Sequence, residues 1–130
     1  MAFGFTFRCM FRRRRRRPVG TALYRARREE ARTLVHARLA YWSAAHPFSF
    51  GQVRIKNHRT AWGSCSAKKN LNFNWRLVTL PSELADYVIL HELCHTVHLN
   101  HSADFWEFLE RLAPDCRALR LRLRRHPLNA

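Results

Sequence analysis

From Thr21 to Ala45, apolar residues recur at helical spacing. Ala31, Leu34, Val35, Tyr41 and Trp42 form a stripe, and arginines cover the opposite face. The pattern predicts a long helix, with Pro47 just beyond its end. The period then falls to two. Val53 and Ile55 share one face of a strand expected over residues 52–57. Residues 59–66 and 71–78 flank a polar turn at 67–70 and predict a hairpin. In its second arm Leu71, Phe73 and Trp75 alternate with Asn72 and Asn74, which puts the asparagines on a solvated face. A helix is expected from Pro81–Ser82 to about Leu99. Leu84, Tyr87, Val88, Ile89, Leu90, Leu93 and Val97 make it apolar nearly all round, as a buried helix is, and Glu83 and Asp86 suit its N-terminal turns. Asn100 is a natural stop. Ser102 is an N-cap for a helix over residues 103–113, which Pro114 ends, and a basic helix follows over residues 115–125.

Strands grouped between helices point to an α+β domain. A chain of 130 residues, 47% of them hydrophobic, suits one such domain, here residues 21–130. Residues 1–20 read as a basic tail. Phe3, Phe5 and Phe7 alternate briefly, six arginines from Arg12 to Arg17 follow, and Pro18 and Gly20 break regular structure. No apolar run approaches the roughly 20 residues that span a bilayer. The tail lacks the order of a secretory signal, so a cytoplasmic location is expected. Cys9, Cys65, Cys94 and Cys116 form no C-x-x-C pair, and Cys65, Cys94 and Cys116 are expected to be small buried thiols. The net charge of +15 favours polyanions. Nucleic acid would meet the Arg12 to Arg17 tract and the cluster Arg117, Arg120, Arg122, Arg124 and Arg125 on the last helix.

The chemistry lies in His91-Glu92-Leu93-Cys94-His95. Spacing i, i+4 sets two imidazoles on one helix face, one turn apart, where they can share one metal ion. Glu92 is rotated from them by about 100°. It flanks the ion without binding it and can take a proton from a metal-bound water. Two histidines and a glutamate on a buried helix are costly without such a partner. A catalytic zinc has three protein ligands and an open position. His101, His98, Glu107 and Glu110 compete for the third place.

Trp62-Gly63-Ser64-Cys65-Ser66, the run from Asn70 through Leu71, Asn72, Phe73, Asn74, Trp75 and Arg76 to Leu77, the H-E-L-C-H motif, Asn100-His101-Ser102 and Phe105-Trp106 together closely resemble the YgjP-like metallopeptidase family, a relative of the SprT-like and WLM zinc peptidases. The resemblance runs from about Tyr24 to Ala113. It implies a minimal zincin, with an N-terminal helix, a small antiparallel sheet with a hairpin, the metal-binding helix and supporting C-terminal helices. It also implies one Zn2+ ion held by His91, His95 and His101, with Glu92 as the catalytic base. Lys69 stands where the family has a turn glycine.

Geometry favours the same third ligand. His98, seven residues after His91, lies roughly 10.5 Å along a straight axis, so three imidazoles in one row cannot converge. Asn100 allows a bend, and the helix starting at Ser102 fixes His101, although Glu107 or Glu110 on that helix could serve instead. The expected function is a monomeric zinc metallopeptidase that hydrolyses peptide or protein substrates, with the strand Trp62-Gly63-Ser64-Cys65 either pairing with the substrate or merely packing. The rival is a nucleic-acid-associated module with a mainly structural zinc helix. Glu92 separates the two, since a structural site needs no base.

Overall fold

The computed structural model describes residues 21–128; the basic tail at residues 1–20, with its arginine tract, lies outside the described residues. The element order is α1 (Thr21–Ala45), β1 (Val53–Lys56), β2 (Gly63–Cys65), β3 (Leu71–Asn74), a 3-10 turn (Trp75–Thr79), α2 (Ser82–His95), α3 (Ala103–Leu112) and α4 (Cys116–Arg124). The α+β class holds, with four helices and one small sheet.

Helix α1 buries Ala31, Val35 and Leu39, an i, i+4, i+8 stripe, with Leu34 and Trp42 partly covered beside it. Tyr41 belongs to the other face. It is 56% exposed and carries the Arg38 guanidinium over its ring at 4.2 Å. Its place in the sequence-level stripe is corrected by Leu39, which holds the helical period.

The sheet is mixed, not wholly antiparallel as expected. Its order is β1-β3-β2. β2 and β3 form the antiparallel hairpin, pairing Gly63 with Phe73 and Cys65 with Leu71. β1 lies parallel to β3 on the other side, pairing Val53 with Leu71 and Ile55 with Phe73. Ile55, Cys65, Leu71 and Phe73 bury one face against the helices. The hairpin turn keeps the backbone that a glycine would adopt. Lys69 sits at φ 63° and donates its N–H to the Ser66 carbonyl at 2.9 Å.

The second arm stops early because Asn74 is consumed by the turn. It is fully buried, not solvated as its alternation suggests. Its Nδ2 donates to the His58 and Ala61 carbonyls at 2.6 and 3.0 Å, and its Oδ1 accepts from the Arg76 N–H at 3.0 Å. That bond caps the 3-10 turn, which buries Trp75 and Leu77.

Helix α2 is the centre. Leu84, Ala85 and every residue from Tyr87 to His95 are buried, and α1, α3, α4 and the sheet pack around it. Each fully buried large apolar side chain there stabilises the fold by about 1.5–3 kcal/mol. Asp86, on the flank towards α1, accepts two bonds from Arg38 at 2.6 and 2.9 Å and one from Trp42 Nε1 at 2.8 Å. The bidentate pair raises the Arg38 pKa. No helix among the described residues is long and apolar enough to cross a membrane.

Asp86→Ala leaves Arg38 and Trp42 Nε1 without that acceptor. The expected loss is about 1.5–3 kcal/mol of stability. A denaturant titration checks it, and an unchanged midpoint would remove this pair from the α1–α2 contact.

Candidate metal centre and active site

Helix α2 brings His91 and His95 together one turn apart, with their Nε2 atoms 3.1 Å from each other. The helix ends at His95, four residues before the expected Leu99. Thr96 causes the stop: its Oγ1 donates to the Leu93 carbonyl at 2.6 Å, in competition with helical bonding. The chain then turns back. Ser102 accepts the Phe105 N–H at 3.4 Å to start α3, and the returning loop puts His101 Nε2 3.4 Å from His91 Nε2. One donor atom from each of the three histidines fits within a 4.8 Å cluster.

The other candidates point elsewhere. The His98 ring packs on Phe108 at 5.8 Å, Glu107 pairs with Arg111 at 2.6 Å, and Glu110 is exposed on α3. None of the three belongs to the cluster.

The outer ring nitrogens fix the orientation. His95 Nδ1 lies 3.1 Å from the His98 carbonyl oxygen. A carbonyl only accepts, so Nδ1 carries the proton and Nε2 keeps its lone pair. Tyr87 Oη lies 3.4 Å from His91 Nδ1 and, able to accept or donate, holds that ring in place. Burial holds both imidazoles neutral. The His91 pKa falls well below 6.5 through desolvation, then through His95, His101 and Arg120. Desolvation takes His95 down to about 4, and desolvation and then Arg120 lower His101.

Aromatic rings from α3 brace all three. Phe105 stacks on His95 at 4.3 Å and 15° and meets His91 edge-on at 4.9 Å. Trp106 stacks on His101 at 5.8 Å and 26°.

Glu92 is completely buried, and neither of its carboxylate oxygens has a hydrogen-bond partner among the described residues. Desolvation raises its pKa well above the usual carboxylate value. It faces the hairpin, where a Cβ added at Gly63 would lie 3.1 Å from Glu92 Cγ and 3.3 Å from the Asn72 carbonyl oxygen. Gly63 is what lets β2 come this close.

These residues fit a metal. Three neutral Nε2 donors converge, and a buried carboxylate beside them lacks any other partner. Borderline imidazole donors in a three-to-one arrangement with an open position suit zinc. One contributor escapes a reading of sequence. Tyr87 precedes His91 by one turn but belongs to the apolar pattern of α2, and only its unused hydroxyl hinted at more. Gly63 was legible as a glycine inside a strand, which permits close approach.

A profile of the "YgjP-like, metallopeptidase domain" matches residues 12–126. No curated protein matches the chain. Among solved structures, the fold is similar to the metallopeptidase zymogen of Pyrococcus abyssi abylysin. The TM-score is 0.58 and the identity 20%, covering 72% of this chain and 90% of that one. It is also similar to the metallopeptidase zymogen of Methanocaldococcus jannaschii jannalysin, with a TM-score of 0.55 and 27% identity over 72% of this chain and 92% of that one.

Tyr87→Phe keeps the ring and removes the partner of His91 Nδ1. Zinc affinity should fall by about 10-fold or more, as loss of an outer hydrogen bond to a ligand does. Competition with a chromogenic chelator measures it. Unchanged affinity would show that the Tyr87 hydroxyl does not orient His91.

Proposed function

The chain belongs to the YgjP-like metallopeptidase family, and from that premise we propose that a single zinc ion held by His91, His95 and His101 serves its peptide hydrolysis, with Glu92 as the base. The observation that carries this reading is the convergence of three histidine donors beside a buried, unpartnered carboxylate.

Zinc, when bound, supplies Lewis acidity that polarises a peptide carbonyl and lowers the pKa of water to about 7. Glu92 does the proton work. One carboxylate oxygen takes a proton from the attacking water, and the resulting carboxylic acid gives it to the leaving amine nitrogen. Its dry surroundings support both roles, since burial raises its pKa and narrows the gap between the charged and neutral forms. The His98 carbonyl and Tyr87 hydroxyl keep the histidine rings aimed. Phe105 and Trp106 brace the rings of His95 and His101 by stacking on them. β2 is a sheet edge beside Glu92, so an extended substrate can add to it as a further strand.

The buried free thiols Cys65, Cys94 and Cys116 favour a reducing, cytoplasmic setting for a monomeric enzyme. A second reading draws on the net charge of +15: Arg12 to Arg17 and the basic α4 contact a nucleic-acid backbone, either to recruit the peptidase or as a binding module with a structural zinc.

Metal analysis and peptide cleavage test the proposal together. Purified protein should hold one zinc per chain, and His91→Ala, His95→Ala and His101→Ala should each lose it while Glu107→Ala retains it. Zinc kept in His101→Ala but lost in Glu107→Ala would overturn the ligand set. Glu92→Gln should keep its zinc and lose hydrolysis by about 100-fold or more. Full activity in that variant would end the assignment of the base. For the second reading, nucleic-acid affinity should fall steeply between low and physiological salt, less so once residues 12–17 are deleted.

A further inference from the structure

Trp106, Arg117, Arg120, Leu121 and Arg124 line a groove of about 400 Å³ that the proposed reaction leaves unused. Spacing i, i+3, i+7 puts the three arginines on one face of α4. The Arg120 guanidinium carbon lies 4.8 Å from the centre of the Trp106 ring, and that ring stacks on His101. The groove therefore shares a wall with the proposed metal centre.

Its charge is uncompensated. The ion pairs among the described residues use Arg27, Arg32, Arg38, Arg111 and Arg122, and none involves Arg117, Arg120 or Arg124. Arg120 Nε is buried and has no acceptor among the described residues. A buried N–H is costly unless something supplies an acceptor, and guanidinium forks match carboxylates in shape and charge.

We propose that this groove takes a carboxylate of the peptide substrate, so that the enzyme prefers peptides with an acidic group close to the bond being cut. The proposal rests on the peptidase reading of the neighbouring centre. Trp106 and Leu121 offer apolar surface for the stem of an acidic side chain. Two turns of one helix span roughly 10 Å, room for one or two carboxylates rather than for a phosphate backbone track. The carboxylate can come from a Glu or Asp side chain or from the free C-terminus of a peptide.

Fluorescence anisotropy on the full-length, zinc-loaded Glu92→Gln chain tests the proposal at constant salt. Three labelled peptides of one length serve as probes: one with Glu and an amidated end, one with Gln and an amidated end, and one with Gln and a free carboxylate. The Glu peptide should bind about tenfold tighter than the amidated Gln peptide. Equal strength from the free carboxylate would place a C-terminus in the groove, and weakness there would assign a side chain. Arg117→Gln and Arg124→Gln alter exposed residues that the fold tolerates, and each should cut the preference by about 3- to 10-fold. Arg25→Gln and Arg28→Gln remove the same charge from exposed positions on α1 and should leave it intact.

Equal binding of all three peptides overturns the proposal. So does an equal loss in the Arg25 and Arg28 variants, which would mean diffuse charge. Displacement of the Glu peptide by a short single-stranded oligonucleotide, sensitive to Arg117 and Arg124, would assign the groove to nucleic acid instead. Cleavage by the wild-type chain separates the two layers. Hydrolysis without acidic preference overturns the groove alone, whereas acidic binding with no hydrolysis of any peptide overturns the peptidase reading beneath it.

Discussion

Burial of two imidazoles and a carboxylate on a single helix is the constraint that orders this molecule. His91, Glu92 and His95 are at most 1% exposed, in a helix whose other buried side chains are almost all apolar. Groups of that kind destabilise a core unless each finds a partner. The outer nitrogens of the histidines are met from within the chain, by Tyr87 and by the His98 carbonyl. The inner nitrogens of the two rings converge with His101 Nε2, and Glu92 lies against the hairpin at Gly63. The rest of the fold encloses α2, and the Arg38–Asp86–Trp42 cluster holds α1 against it.

The short length of α2 matters as much as its burial. Had it run to Leu99, the His98 carbonyl would point along the axis, away from the His95 ring, and His101 would be carried away with it. Thr96 ends it one residue past His95. The same break turns the His98 carbonyl to His95 Nδ1 and returns the chain with His101. Phe105 then touches all three rings from the first turns of α3.

Much of this was legible in residues. The helical period located all four helices, and i, i+4 spacing put two histidines on one face. The need for a bend pointed to Ser102 as the next start and to His101 as the approaching side chain. What was hidden depends on contacts distant in sequence. Asn74 looks like any polar residue on an alternating strand, and only the loop at His58 and Ala61 reveals it as buried. The parallel pairing of β1 with β3 cannot be read from alternation, which is the same in both kinds of ladder. Leu39 was passed over for Tyr41 because period alone does not weigh a tyrosine that can turn its ring to an arginine.

The sheet order leaves both outer strands short, four residues in β1 and three in β2. Unpaired strand edges are templates for aggregation, and brevity is one way proteins blunt them. Three residues at β2 offer a guest only a few backbone bonds, enough to align a chain briefly beside Glu92 and too few to seed a growing stack of strands. A sheet edge of that length is poorly suited to strand-by-strand growth between copies of the chain.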